Sequence, residues 1–386
     1  MRAANSNNGF GRILSEIANG DDMTRTGLEA ITGLSRPTVA ERLAVLESAG
    51  LIRYSSKRVA SGGRPARVIR LNEKARLIVA FDLAEEGCRV GLTDLRANLI
   101  EQVLVDTAVT NGPKAVLKQM IAAAQDLVAK CAPDCPIGGI GVSLPASVEY
   151  GQGRSVGWSV MVGWDGYPVR DHLQQAFGVP VFIDNDVNLL VLAERHLYAS
   201  EFEHLLFVKV GTGIGSGLIV DGRINRGAVG SAGDIGHTRV SGYGDPVCRC
   251  GNVGCLEAVA GGWALARDLE QPELSPAEVM RFMRRGDANV LALMRNAGRA
   301  LGEAVAFAVS MLNPEAIVIG GEIGQNNDLL MAGVRELVYQ RSLPLATKNL
   351  VLRHSQLSQD GLLAGAAFLA VDELLDPDRV DAWLGQ

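Results

Sequence analysis

Residues 248–257 read CRCGNVGCLE. Three of the chain's six cysteines fall within eight positions here, spaced C-x-C-x4-C, with two glycines between them. Clustered thiols in an intracellular chain are more often metal ligands than disulfide partners. The reading of this stretch therefore depends on compartment and on what surrounds it.

The surroundings point to the cytoplasm. The opening residues, MRAANSNNGF, lack the apolar run of a secretory signal. Apolar stretches such as AVAFAVSML are too short to span a bilayer, so no membrane association is expected. With 386 residues and 47% hydrophobic content, the chain has room for two or three domains with a sizeable core.

Charge is unevenly spread. Residues 1–72 hold eleven Lys/Arg against six Asp/Glu, a balance of +5 in a chain of net charge −6, so the remainder carries −11. A basic segment on an acidic body suggests a nucleic-acid module joined to something else.

The pattern within residues 1–72 is more specific than its charge. FGRILSEIA (10–18) reads as a short amphipathic helix, and GLEAITG (27–33) as a second that Thr24 or Thr26 can cap. After a turn at Gly33-Leu34, a third helix starts at Ser35 as N-cap and ends before Gly50. Val39, Leu43 and Leu46 give it a core-facing stripe, and Pro37 sits in the first turn, where its missing N–H costs little. This is the helix-turn-helix order, whose last helix enters the major groove N-terminus first. Ser35, Arg36 and Thr38 are thus expected near base edges or phosphates. LIRYSSKRV and ARVIRLN alternate like two strands joined around SGGRP, a wing carrying Lys57, Arg58, Arg64 and Arg67. Arg64 follows two glycines and is placed to reach phosphate or a narrow minor groove. The expected partner of this segment is double-stranded operator DNA.

The texture changes at residue 77. LIVAFDL, CRVGLTDL and LIEQVLVD are three short strands of antiparallel type, followed by a helix over 113–130 and the strand IGGIGVS. PVFIDND, a helix from Val187, LLFVKVGTGIGSGLIVDG and AIVIGG continue an α/β alternation. The glycine-rich strand ends VGTGIGSG and VIGGEIG allow backbone amides to approach phosphate, although glycines serve tight turns equally well.

In order, a winged helix, GTGIGSG, GSAGDIGH, CRCGNVGCLE and IVIGGEIG resemble the ROK family of repressors, open reading frames and sugar kinases. The resemblance covers essentially the whole chain. It implies an α/β protein: a winged helix-turn-helix over residues 1–72 and, over 73–386, a two-lobed actin-like body of hexokinase type that binds a carbohydrate. By the same resemblance His237, Cys248, Cys250 and Cys255 hold a structural zinc, and a closed Cys3His set suits Zn2+ chemically. Cys131 and Cys135, a C-x3-C pair without a nearby His, are expected as surface thiols, and Cys88 as a packed strand residue. The sugar ligands carried over are Asn185, Asp186, Asp234, His237 and Glu257, with Asp186 at the position of the kinases' catalytic base. Hydroxyl-rich ligands suit carboxylates, an amide and an imidazole. Asp234 departs from the family, which has a glutamate there, one methylene longer.

Residues 82–86 decide between kinase and regulator. Sugar kinases of the family carry Asp-x-Gly-Gly-Thr there, and this chain carries Asp82-Leu83-Ala84-Glu85-Glu86. Two carboxylates stand where polyphosphate would lie, and the glycines that admit it are gone. The expectation is a carbohydrate-responsive repressor without catalytic residues, acting as a homodimer or homotetramer, with a sugar kinase carrying an added DNA-binding domain as the alternative.

Overall fold

A computed structural model describes residues 9–20, 22–59, 66–84, 87–156 and 162–384 of the chain. The chain divides into two compact units. One comprises the residues up to Val142, Val169–Ile183 and Ala366 onward; the other comprises Ser143–Pro168 and Asp184–Gly365.

The first unit begins with three helices, α1 (Phe10–Asn19), α2 (Arg25–Thr32) and α3 (Arg36–Ser48). The Thr24 hydroxyl accepts from Gly27 N, so α2 starts two residues earlier than its apolar pattern suggests. Ser35 caps α3 by accepting from Thr38 N. Val39, Leu43 and Leu46 are fully buried, as are Ile13, Leu14, Ile17 and Leu28 of the two helices on which α3 packs. Strands β1 (Ile52–Val59) and β2 (Ala66–Leu71) pair antiparallel, with Ile52 opposite Leu71. Ile69 N donates to Met23 O at 2.7 Å, which ties the wing to the segment between α1 and α2.

The rest of this unit is built on a five-stranded sheet in the order β5-β4-β3-β6-β9. Its strands are β3 (Leu77–Asp82), β4 (Cys88–Thr93), β5 (Leu99–Val105), β6 (Ile137–Leu144) and β9 (Val181–Asn185). The first three form an antiparallel meander, and every residue of β3 is buried. Helices α4 (Pro113–Cys131) and α5 (Val169–Phe177) connect the strands. Cys88 is buried in β4, whereas Cys131 and Cys135 are half-buried. Helix α15 (Pro377–Leu384) packs on α1.

The second unit contains a small hairpin, β7 (Val148–Glu149) with β8 (Arg154–Ser155), and a second five-stranded sheet. That sheet joins β10 (Leu205–Val210), β11 (Ile214–Val220), β12 (Arg223–Ile224), β13 (Ala316–Gly320) and β14 (Val351–His354) in the order β12-β11-β10-β13-β14. Here too a three-stranded antiparallel meander comes first, and β10, β13 and β14 run parallel. Each sheet thus places its strands in the order third, second, first, fourth, fifth along the chain, the duplicated arrangement of an actin-like body.

Helix α6 (Asp186–Tyr198) covers one face of the second sheet, where Val187 and Val191 meet Phe207 and Ile219. The other face carries α7 (Leu256–Ala260), α8 (Gly262–Asp268), α9 (Pro276–Arg284), α10 (Ala288–Leu312), α11 (Gly321–Gly324) and α12 (Asp328–Arg341). The short α13 (Pro344–Thr347) follows, and α14 (Gly361–Leu374) leads from this unit into the first. Among the described residues no helix is long and apolar enough to cross a membrane.

Candidate functional site

The sequence-expected ligands of the second unit converge on β11. Asn185 is the N-cap of α6, its side-chain oxygen accepting from Asn188 N at 2.8 Å, and Asp186 is the first helical residue. A carboxylate is favoured at that end of a helix dipole. The loop over residues 233–237 is held to the same strand, because Gly233 O accepts from both Ser216 N and Ser216 Oγ. Glu257 opens α7. Its backbone N–H donates to Gly236 O, and its Oε2 accepts from Ile214 N at 3.1 Å. The first turn of α6 packs on the same strand, Val187 lying against Gly215, so one end of β11 anchors every segment that carries Asn185, Asp186, Asp234, His237 and Glu257. Asp234 and His237 are exposed, and Glu257 is half-buried.

Two partners of these residues escaped the sequence reading. The Lys209 ammonium is ion-paired with the Asp186 carboxylate. Its one sequence signal is a lysine in the otherwise apolar strand LLFVKV, opposite Gly215 in the β10–β11 hairpin. The Trp263 indole N–H donates to Glu257 Oε1 at 3.0 Å, while the guanidinium groups of Arg249 and Arg267 lie 4.8 and 5.4 Å from its ring centre. Both carboxylates are thus already engaged by donors from their own unit.

The thiols meet His237 through a tight hairpin. Arg239 bridges Cys255 and Val247 bridges Val253, while Cys248 N donates to Asn252 O. One ligand atom from each of His237, Cys248, Cys250 and Cys255 lies within 4.8 Å of all the others. Cys248 Sγ is 3.7 Å from His237 Nδ1, and Cys250 Sγ is 3.7 Å from Cys255 Sγ. A tetrahedral Zn2+ with bonds of about 2.3 Å to sulfur and 2.0 Å to nitrogen requires ligand separations of about 3.6–3.8 Å. The donor set therefore fits such an ion. Burial pushes the Cys255 thiol up to about 12, reinforced by the neighbouring Cys250 sulfur, and burial also raises Cys248. The backbone N–H of Asn252 pulls the exposed Cys250 downward. Zinc takes thiolate, so loading the site expels the protons of these thiols.

The kinase-diagnostic turn is only partly described, since Glu85 and Glu86 lie outside the described residues. Asp82 is buried at the end of β3, where Arg89 donates to its Oδ2 from Nη2 at 2.7 Å and Nε at 3.1 Å.

In the winged helix, Ser35 and Arg36 are exposed at the start of α3, and Thr38 is half-buried, its hydroxyl 2.8 Å from that of Ser35. Arg67 is exposed, with its guanidinium 4.7 Å from the Tyr54 ring centre. Arg64 and the side chains of Lys57 and Arg58 lie outside the described residues.

Comparison with known proteins covers both the body and the whole chain. The sequence profile of the ROK family matches residues 85–373. A xylose repressor of Caldicellulosiruptor bescii is 26% identical over 382 residues, covering 94% of this chain and 95% of the relative. A glucokinase of Thermotoga maritima is 30% identical over 315 residues, covering 77% of this chain and 98% of its own. Among solved structures, a ROK family transcriptional regulator described as a homologue of the Escherichia coli MLC protein superposes with a TM-score of 0.85. It is 24% identical, and 98% of each chain is covered. The repressor and the regulator match along nearly their whole length, whereas the glucokinase leaves about a quarter of this chain unmatched.

Proposed function

The chain belongs to the ROK family, and from that premise we propose that it is a sugar-responsive transcriptional repressor. Residues 1–72 form the DNA-binding module and 73–386 the effector-binding body. The observation that carries this reading is the winged helix. Its third helix buries Val39, Leu43 and Leu46 and presents Ser35 and Arg36 outward from its N-terminal end. A groove-reading helix needs that division of faces. The near full-length match to a xylose repressor supports the same conclusion.

The body binds a monosaccharide through Asn185, Asp186, Asp234, His237 and Glu257. Zn2+ sits in the Cys3His set and acts structurally, since four protein donors leave no open position. Nδ1 of His237 faces the cysteines, which leaves Nε2 for the sugar or for a neighbour. The body does not phosphorylate the sugar. Asp82, where the kinases' phosphate turn begins, is held by Arg89, and the glycines of that turn are replaced by Ala84 and Glu85.

The test is selection of duplexes from a random library by the full chain, followed by anisotropy titration. D-xylose, D-glucose, N-acetylglucosamine and their phosphates are then added in turn. The expected result is one enriched inverted repeat, released by one of these sugars. Turnover of ATP with any of them, at rates typical of kinases, would favour the glucokinase-like reading instead.

A further inference from the structure

Helix α15 joins the two ends of the chain. Its Asp381 is buried, and the carboxylate accepts from Gly9 N at 3.3 Å and Gly11 N at 3.0 Å, the free amides at the start of α1. A carboxylate at a helix N-terminus satisfies orphan donors and complements the dipole. The backbones also touch: a Cβ on Gly11 would collide with Pro377. The opposite side of α15 is fixed within the same unit. Arg379 donates to Glu373 at 2.7 Å and stacks over the Phe182 ring at 5.1 Å.

A continuous route leads from here to the effector residues. Helix α14 precedes α15, begins in the second unit and ends in the first. Within the second unit it lies against α6, where a Cβ on Gly365 would collide with the carbonyl of Leu189. The N-terminal end of α6 carries Asn185 and Asp186.

We propose that Asp381 is the positioning residue of the DNA-binding module, and that α6, α14 and α15 form the mechanical path by which effector binding reaches α1. This rests on the reading of residues 1–72 as a DNA-binding module and of Asp186 as a sugar ligand. Contact alone does not establish coupling, so the test measures coupling directly. The duplex selected by the wild-type chain and its releasing sugar serve as probes for Asp381→Ala, Asp381→Asn and Arg379→Ala. The sugar response of the wild type, about 5–150-fold in operator affinity for coupled sites, should fall to within about twofold in Asp381→Ala. Asp381→Asn keeps one acceptor and should recover part of the response. Arg379→Ala, which loosens α15 from Glu373 and Phe182 but leaves Asp381 on α1, should reduce the response while retaining the fold. Sugar affinity and zinc content should be unchanged in all three, and amide exchange in α1 should accelerate in Asp381→Ala.

An unaltered sugar response in Asp381→Ala, despite faster exchange in α1, would overturn the proposal. So would unchanged exchange in α1, since the carboxylate would then not be holding the helix. Should Asp381→Ala fail to fold, an unaltered sugar response in Arg379→Ala overturns the proposal. A wild-type chain that enriches no duplex would instead refute the DNA-binding reading.

Discussion

At the residue scale, the ion pair of Asp186 with Lys209 changes what the most kinase-like carboxylate in the chain can do. It keeps its place at the head of α6, but an ammonium from the neighbouring strand already satisfies part of it. Asp186→Asn should weaken sugar binding by about 1–3 kcal/mol, the cost of a lost charged hydrogen bond. Zinc content and sugar-free operator affinity should stay at wild-type levels. Calorimetric titration of the releasing sugar into both proteins is the measurement, and equal affinities would place the effector elsewhere. Glu194 gives a second expectation. It is fully buried on α6, with Ser355 Oγ donating to it at 2.7 Å and Arg353 at 3.4 Å. Burial raises its pKa above the usual carboxylate value despite these partners. The folded state then holds a proton that the unfolded chain has released, so stability is lost as pH rises from the unfolded through the folded value. Glu194→Gln should therefore become progressively more stable relative to wild type as pH rises above the ordinary carboxylate value, read from denaturation midpoints from that value upward. A constant difference would show that Glu194 is not the titrating group.

At the element scale, the helices of the winged module were legible because their caps and stripes are local. Thr24, Ser35 and the Val39–Leu43–Leu46 spacing all lie within a few residues of what they specify. The three clustered thiols were legible for the same reason, whereas His237 was added to them by the family resemblance. What the sequence concealed was long-range. Lys209 reaches Asp186 across 23 positions, and Asp381 reaches Gly11 across 370. No periodicity encodes such pairs, because sheet register and helix packing create them. Two predictions belong at this scale. Arg36→Ala should cost about 1–3 kcal/mol of operator affinity if Arg36 reads a base, or lower the salt slope by about 1 if it contacts phosphate. Titrations at three salt concentrations separate the two, and no change in either would remove Arg36 from the interface. Cys250→Ser should strip the bound metal and lower the melting temperature of the body. One zinc per wild-type chain and less in the variant, by elemental analysis, is the expected result.

At the scale of the whole molecule, the winged helix sets the expected assembly. Two copies related by a two-fold axis match an inverted repeat with half-sites about 10–10.5 base pairs apart, or a multiple of that. Light scattering should give an even number of chains per operator, and removal of residues 1–72 should abolish binding while leaving sugar affinity intact. Retained operator binding by the shortened chain would move the interface into the body. The body must then bias that geometry through a difference in sugar affinity between two arrangements, because a ligand with equal affinity for both shifts nothing.

The setting of Trp263 has an optical consequence. Its indole N–H is bonded to Glu257, and a cation from the C-x-C turn lies over its ring. Indole emission responds to both kinds of neighbour, so one fluorophore sits between the proposed sugar and zinc sites. Sugar that draws on Glu257 should shift the emission. A chelator that frees Arg249 should shift it in a separate, slower phase. Trp263→Phe should silence both signals while the buried Trp164 continues to emit. A steady spectrum in the wild type under saturating sugar would mean that Glu257 keeps its indole partner when the effector binds.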